Sequence, residues 1–122
     1  MRRFHLSLAA PCLVAVALTA LSALPAAARE CATPGPAPTI PDGTTATTEQ
    51  MTATRAAVQE YVNMLQDRQD CLEANIKRAP KDTKSEVLQK MRDDGNAGID
   101  QAKALSTAYA AQVKIFKARA PK

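Results

Sequence analysis

From Met51 onward, apolar residues return every seven positions: Met51, Val58, Leu65, Leu72 and Ala79. Tyr61, Val62 and Ile76 widen that stripe. A repeat near 3.5 residues marks one face of a helix; a strand would alternate every second residue. Just ahead of the stripe, Thr47-x-x-Gln50 is a capping box, in which hydroxyl and amide each satisfy an orphan backbone donor. Pro80 disfavours helical geometry at Ala79. The pattern predicts a first helix over 47–78, supported by a Glu73/Lys77 pair at i,i+4. A second stripe follows: Leu88, Met91, Ile99, Ala102, Leu105, Tyr109, Val113 and Phe116. Thr83-x-x-Glu86 reads as its capping box, and Glu86 pairs with Lys90. The second helix is predicted over 83–118, ending near Ala120-Pro121.

One stretch conflicts with that reading. Asp93-Asp94-Gly95-Asn96-Ala97-Gly98 has turn composition, and each glycine costs about 1 kcal/mol inside a helix. Yet Gly95 and Gly98 fall in phase with Leu88, Met91 and Ala102. A single phase on both sides favours a continuous helix, bent or closely packed there. The expected fold class is all-α: an antiparallel two-helix hairpin whose Lys81-Asp82 turn joins helices in a shallow left-handed coil.

The segment before the helices has a different character. Pro34, Pro36, Pro38 and Pro41 fix φ and remove backbone donors, which favours an extended or polyproline II strap over a helix. Cys31 precedes the strap and Cys71 lies in helix one. From Thr47 to Cys71 is roughly 36 Å of helix. From Cys31 to Thr47 is roughly 50 Å of polyproline II. The strap is therefore long enough to run back along helix one and pair Cys31 with Cys71.

The N-terminal residues read as an address. Met1-Arg2-Arg3 is basic, Leu6 to Leu24 is apolar and uncharged, and Pro25-Ala26-Ala27-Ala28 ends in small residues with an A-x-A site at Ala26 and Ala28. This is the layout of a secretory signal peptide cleaved after Ala28. The expected organisation is signal peptide 1–28, Pro-rich strap 29–46 and helical hairpin 47–122. No transmembrane segment is expected after cleavage, and the localisation is periplasmic or secreted. The exported compartment is what makes a Cys31–Cys71 disulfide the expected state of the two remaining cysteines.

Composition then narrows the chemistry. The 94 residues from Arg29 onward carry 14 basic and 12 acidic side chains, a net charge of +2. Of their 36 apolar residues, 16 are alanine. So little apolar bulk leaves the domain marginal without a staple or a partner. The one histidine, His5, belongs to the leader. Without it there is no Ser-His-Asp triad, no Cys-His pair and no histidine metal or haem ligand. Tyr61, Tyr109 and Phe116 are the only aromatics left, too few for a nucleobase stacking platform, so nucleic acid is not an expected partner.

The remaining motifs are weak. A calcium loop starting at Asp93 would place Gly98 correctly, but it puts Gly95, Ala97 and Ala104 where oxygen ligands are needed. Asp67, Asp70 and Glu73 read as a solvated face, and Met51, Met64 and Met91 are too widely spaced for copper; Met51 and Met91 belong to the apolar stripes. No metal, cofactor or catalytic residue is expected. The clearest asymmetry is at the end of helix two. After Asp100 there is no acid, while Lys103, Lys114, Lys117, Arg119 and Lys122 supply five positive charges. These five are candidates for an anionic surface. The competing explanation is that cations stabilise a helix C-terminus while Phe116 packs inward.

Taken in order, Cys31, Pro38-Thr39-Ile40-Pro41-Asp42-Gly43, a Thr-capped helix with Met51 and Tyr61, Cys71-Leu72-Glu73, Asn96-Ala97-x-x-Asp100 and Gln112-Val113-Lys114-Ile115-Phe116-Lys117-Ala118 resemble a group of small exported proteobacterial helical proteins of unknown function. The resemblance spans nearly the whole exported chain and implies a continuous second helix in an exported hairpin. It implies no activity and no site residues. The expected function is a non-enzymatic structural or protein-interaction module of the cell envelope. Its partner is an unknown protein or a second copy of itself. The alternative is binding to anionic lipid, lipopolysaccharide or cell-wall polymer through the basic end of helix two.

Overall fold

The computed structural model describes residues 28–119. The leader up to residue 27, and Lys122 among the candidate cations, lie outside them. Among the described residues the fold consists of two helices: α1, Thr48–Arg78, and α2, Ser85–Arg119. No strand occurs among the described residues. They pack against each other in antiparallel order. The Tyr109 hydroxyl donates to the Met51 carbonyl at 2.9 Å, Gln101 Nε2 donates to the Tyr61 hydroxyl at 2.9 Å, and Gly98 faces Leu65.

The N-terminus of α1 is built as the sequence implies. Thr47 is the cap, its hydroxyl accepting from the Gln50 N–H while the Gln50 side chain accepts from the Thr47 N–H. Glu49, in the first turn, is held below the ordinary carboxylate range by its own backbone N–H and the Thr47 hydroxyl. The start of α2 differs from expectation. It begins at Ser85, two residues later than Thr83, and the Val87 and Leu88 N–H groups reach back to the Lys84 carbonyl. Thr83 instead donates its backbone N–H to the Pro80 carbonyl. The proline-led turn uses Thr83 before the helix can.

Met51, Val58, Tyr61, Leu65 and Leu72 are buried along α1. Opposite them α2 buries Gly95, Gly98 and Ala102, while Leu105 packs on their edge. Large side chains on one helix thus meet small ones on the other, which lets the backbones approach. This is why α2 runs unbroken through Asp93-Gly98. The glycines supply room at the interface, and neither has positive φ. The core stays thin: no large side chain is fully enclosed among the described residues.

The strap supplies the third element. Cys31 and Cys71 are joined by a disulfide, with Cα atoms 5.7 Å apart and a sequence separation of 40. Closing a loop of that length contributes roughly 4 kcal/mol in the chain-entropy model, comparable with the whole stability of a small domain. From the disulfide the strap runs to the other end of the hairpin, where Gly43 donates to the Gln112 side chain at 2.8 Å. A Cβ on Gly43 would strike the Gln112 carbonyl and crowd the Phe116 N–H. Glycine is required there by close approach of two backbones, a different need from that at Gly98. A Cβ at Gly98 would meet Leu65 at an ordinary 3.5 Å.

The two glycines should therefore respond in opposite directions. In urea unfolding, Gly43→Ala is expected to destabilise by about 1–3 kcal/mol through backbone displacement. Gly98→Ala is expected to stabilise by about 0.5–1 kcal/mol through helix propensity. The same sign for both would contradict the packing described.

Candidate functional site

Of the five candidate cations, the four among the described residues do not all share one face. Lys103 is exposed and sits 3.9 Å from Asp100, one turn earlier. Lys114 and Lys117 are exposed and form no ion pair among the described residues. At about 100° per residue, Lys103, Lys114 and Lys117 lie within about 60° of one another on α2. Arg119 lies on the far side of the helix. Its guanidinium donates to the Thr44 carbonyl at 3.0 Å and to the Ala46 carbonyl, and it covers the Phe116 ring at 5.1 Å. Arg119 thus fastens the strap to α2. The apolar residues between the lysines also divide. Val113 and Phe116 are half-buried, whereas Ile115 is 39% exposed.

The strap end held by Arg119 is a compact turn. The Asp42 carbonyl accepts from the Thr45 and Ala46 N–H groups at 3.1 and 2.8 Å. Its carboxylate accepts from the Thr44 N–H and hydroxyl, both at 2.8 Å. These donors, the backbone N–H foremost, hold the Asp42 carboxyl below its ordinary range, and Arg119 adds to the effect.

The other end is held by three residues on one stripe of α1. Arg68, Cys71 and Asn75 stand at i, i+3 and i+7, so all three face the strap. Arg68 Nη1 donates to the Cys31 carbonyl at 2.9 Å and to the Thr33 hydroxyl at 3.1 Å. Its Nη2 lies 4.0 Å from the Asp94 carboxylate on α2, so one guanidinium ties strap, α1 and α2 together. Asn75 is buried and bonds both backbone groups of Arg29. Arg68 and Asn75 were not anticipated from sequence. Their signal is that both fall on the helix face of Cys71, where a docking strap leaves backbone groups to satisfy.

The motifs set aside for metal and acid chemistry are accounted for by the helices. Asp93 accepts from Gln89 at 2.9 Å and Asp94 from Lys90 at 3.1 Å, each at i,i+4. Asp67, Asp70 and Glu73 are exposed. Among the described residues no three His, Cys, Asp or Glu side chains come close enough to share a metal ion. A crevice of about 340 Å³ opens between strap and α1, lined by Thr33, Pro34, Met64, Asp67, Arg68 and Cys71. A groove of about 310 Å³ with Leu72, Ile76 and Met91 along it, flanked by Glu73, Lys77 and Arg92, lies between the helices. No described helix is long and apolar enough to cross a membrane. No family model, curated protein or solved structure matches the chain.

The depressed Asp42 carboxyl gives the strap turn a pH dependence of known sign. A lowered folded-state pKa contributes stability above the unfolded value, and that stability is lost as pH falls through the folded value. An NMR titration of Asp42 is expected to show a midpoint below 3.8. Thr44→Val removes only the hydroxyl, so most of the depression should survive it. A wild-type midpoint at or above the ordinary value would contradict the turn geometry.

Proposed function

We propose that this chain is a non-enzymatic, exported helical module of the cell envelope that works by displaying its helix faces to a protein partner or to a second copy. The observation that carries this reading is how its specialised groups are spent. Arg68, Asn75, Gln112 and Arg119 all bind strap backbone or strap side chains. The groups that elsewhere would form a site serve here to hold the fold together. What remains facing outward is surface: a polar face on α1, and on α2 the exposed Ala97, Ala104, Ala108, Ala111 and Ile115. The disulfide supports an oxidising compartment. The leader pattern and the resemblance to small exported proteobacterial proteins support export.

A second reading has one observation in its favour. Lys103, Lys114 and Lys117 share a face of α2, and the latter two form no ion pair among the described residues. Such a row suits anionic lipid, lipopolysaccharide or cell-wall polymer, and its attraction would be screened by salt. It is the narrower reading because Arg119 is committed to the strap.

Co-sedimentation of the exported chain with anionic vesicles and with purified cell-wall sacculi separates the two. The protein-interaction reading expects the chain in the supernatant at low and high salt. Pelleting at low salt only, abolished in Lys114→Glu/Lys117→Glu, would replace it with the surface-binding reading.

A further inference from the structure

Among the described residues, Asn75 is the one buried polar residue, 5% exposed. An amide in that position is costly unless its donors and acceptor are used. Both are used on a single residue far away in sequence. Asn75 Oδ1 accepts from the Arg29 backbone N at 3.1 Å, and Asn75 Nδ2 donates to the Arg29 carbonyl at 2.7 Å. Nδ2 also lies 3.3 Å from Cys31 Sγ. The Arg29 side chain plays no part in these contacts. Asn75 is thus built to grip the backbone of residue 29.

An independent observation in the sequence concerns the same bond. Ala26-x-Ala28 places the expected cleavage between Ala28 and Arg29. Among the described residues, Arg29 is the first whose backbone hydrogen-bonds to a helix, and it is also the residue that cleavage would leave at the new terminus. We propose that Asn75 is a receptor for a new chain terminus: the α-ammonium of Arg29, formed when a leader peptidase hydrolyses the Ala28–Arg29 bond. This rests on the export reading. Hydrolysis adds one water across the peptide bond, leaving a carboxylate on Ala28 and, after uptake of a proton, an ammonium on Arg29.

The surroundings suit an ammonium. A free α-amine is protonated below about pH 8. It offers three donors where the amide offered one, and its bond to Asn75 Oδ1 becomes charge-assisted. Asn75 lies in the last turns of α1, whose carbonyl ends carry partial negative charge. The opposing group is Arg78, which lines the adjoining cavity of about 170 Å³ with Ala28, Asn75, Thr83 and Val87. Arg78 is exposed, so water screens it. Gripping residue 29 also places Cys31, two residues on, against Cys71 four positions before Asn75. The clamp is a positioning device for the disulfide as well as a terminus site.

The test is expression of the full chain in a bacterium that exports it, followed by mass spectrometry and α-amine acylation near neutral pH. The exported protein should begin at Arg29. Its α-amine should acylate about fivefold more slowly in the native protein than in urea, the effect of one hydrogen bond. Asn75→Ala should remove most of that protection, and Asn75→Asp, which keeps an acceptor, should retain it. If Asn75→Ala does not fold, the ratio between native and urea-unfolded wild type decides the matter alone. An exported chain that begins elsewhere, or an α-amine equally reactive in native and unfolded protein, would overturn the clamp and leave export standing. A chain kept in the cytoplasm with its leader attached would overturn the export reading and the clamp with it.

Discussion

The Cys31–Cys71 bond is the constraint on which the rest of the structure depends. Two helices facing each other form one layer of contact, and here the buried residues of α2 are glycine and alanine. Such an interface buries too little apolar surface to offset the entropy of ordering about 90 residues. The disulfide changes the balance by restricting the unfolded chain. It also makes the strap part of the fold, because a Pro-rich segment has few backbone donors with which to hold itself in place. Only its ends bond to the helices, through Arg29, Cys31 and Thr33 at one end and Gly43, Thr44 and Ala46 at the other.

The two helices divide the work unequally. α1 carries the large buried side chains and the stripe of Arg68, Cys71 and Asn75 that receives the strap. α2 supplies closeness: Gly95 leaves room for the Gln69 side chain of α1, and the α2 backbone near Gln112–Phe116 forms the bed for Gly43. That closeness has one unsatisfied cost. Gln69 Oε1 is buried against Gly95 without a hydrogen-bond partner, while its Nε2 donates to Glu73 at 2.9 Å.

The helices were legible because their signals are local or periodic, and the disulfide because only two cysteines follow the leader pattern. The seven-residue stripe of Met51, Val58, Leu65 and Leu72 reports a buried face directly, and the Thr47 capping box sets where α1 begins. Gly95 and Gly98 were legible through phase: composition alone would have made them a turn. The second capping box misled because Thr83-x-x-Glu86 has the right letters, while the preceding proline turn claims Thr83. The clamps were hidden for a different reason. Arg68, Asn75 and Arg119 act on backbone groups 37, 46 and 75 positions away, and no local pattern records such a partner. Arg119 shows the consequence. In sequence it belongs with Lys114 and Lys117 as one basic tail, yet three dimensions place it across the helix from them.

The proposed function needs helix faces held in a fixed relation, and the strap is bonded to the helices at both ends. Hydrogen exchange under oxidising and reducing conditions measures that coupling most directly. The Gly43 and Ala46 amides lie at the strap end remote from the disulfide. If the covalent pin holds the whole strap, reduction should strip their protection along with that of the α2 amides near Gln112. Unchanged protection of Gly43 and Ala46 after complete reduction would contradict the claim that the disulfide governs the fold.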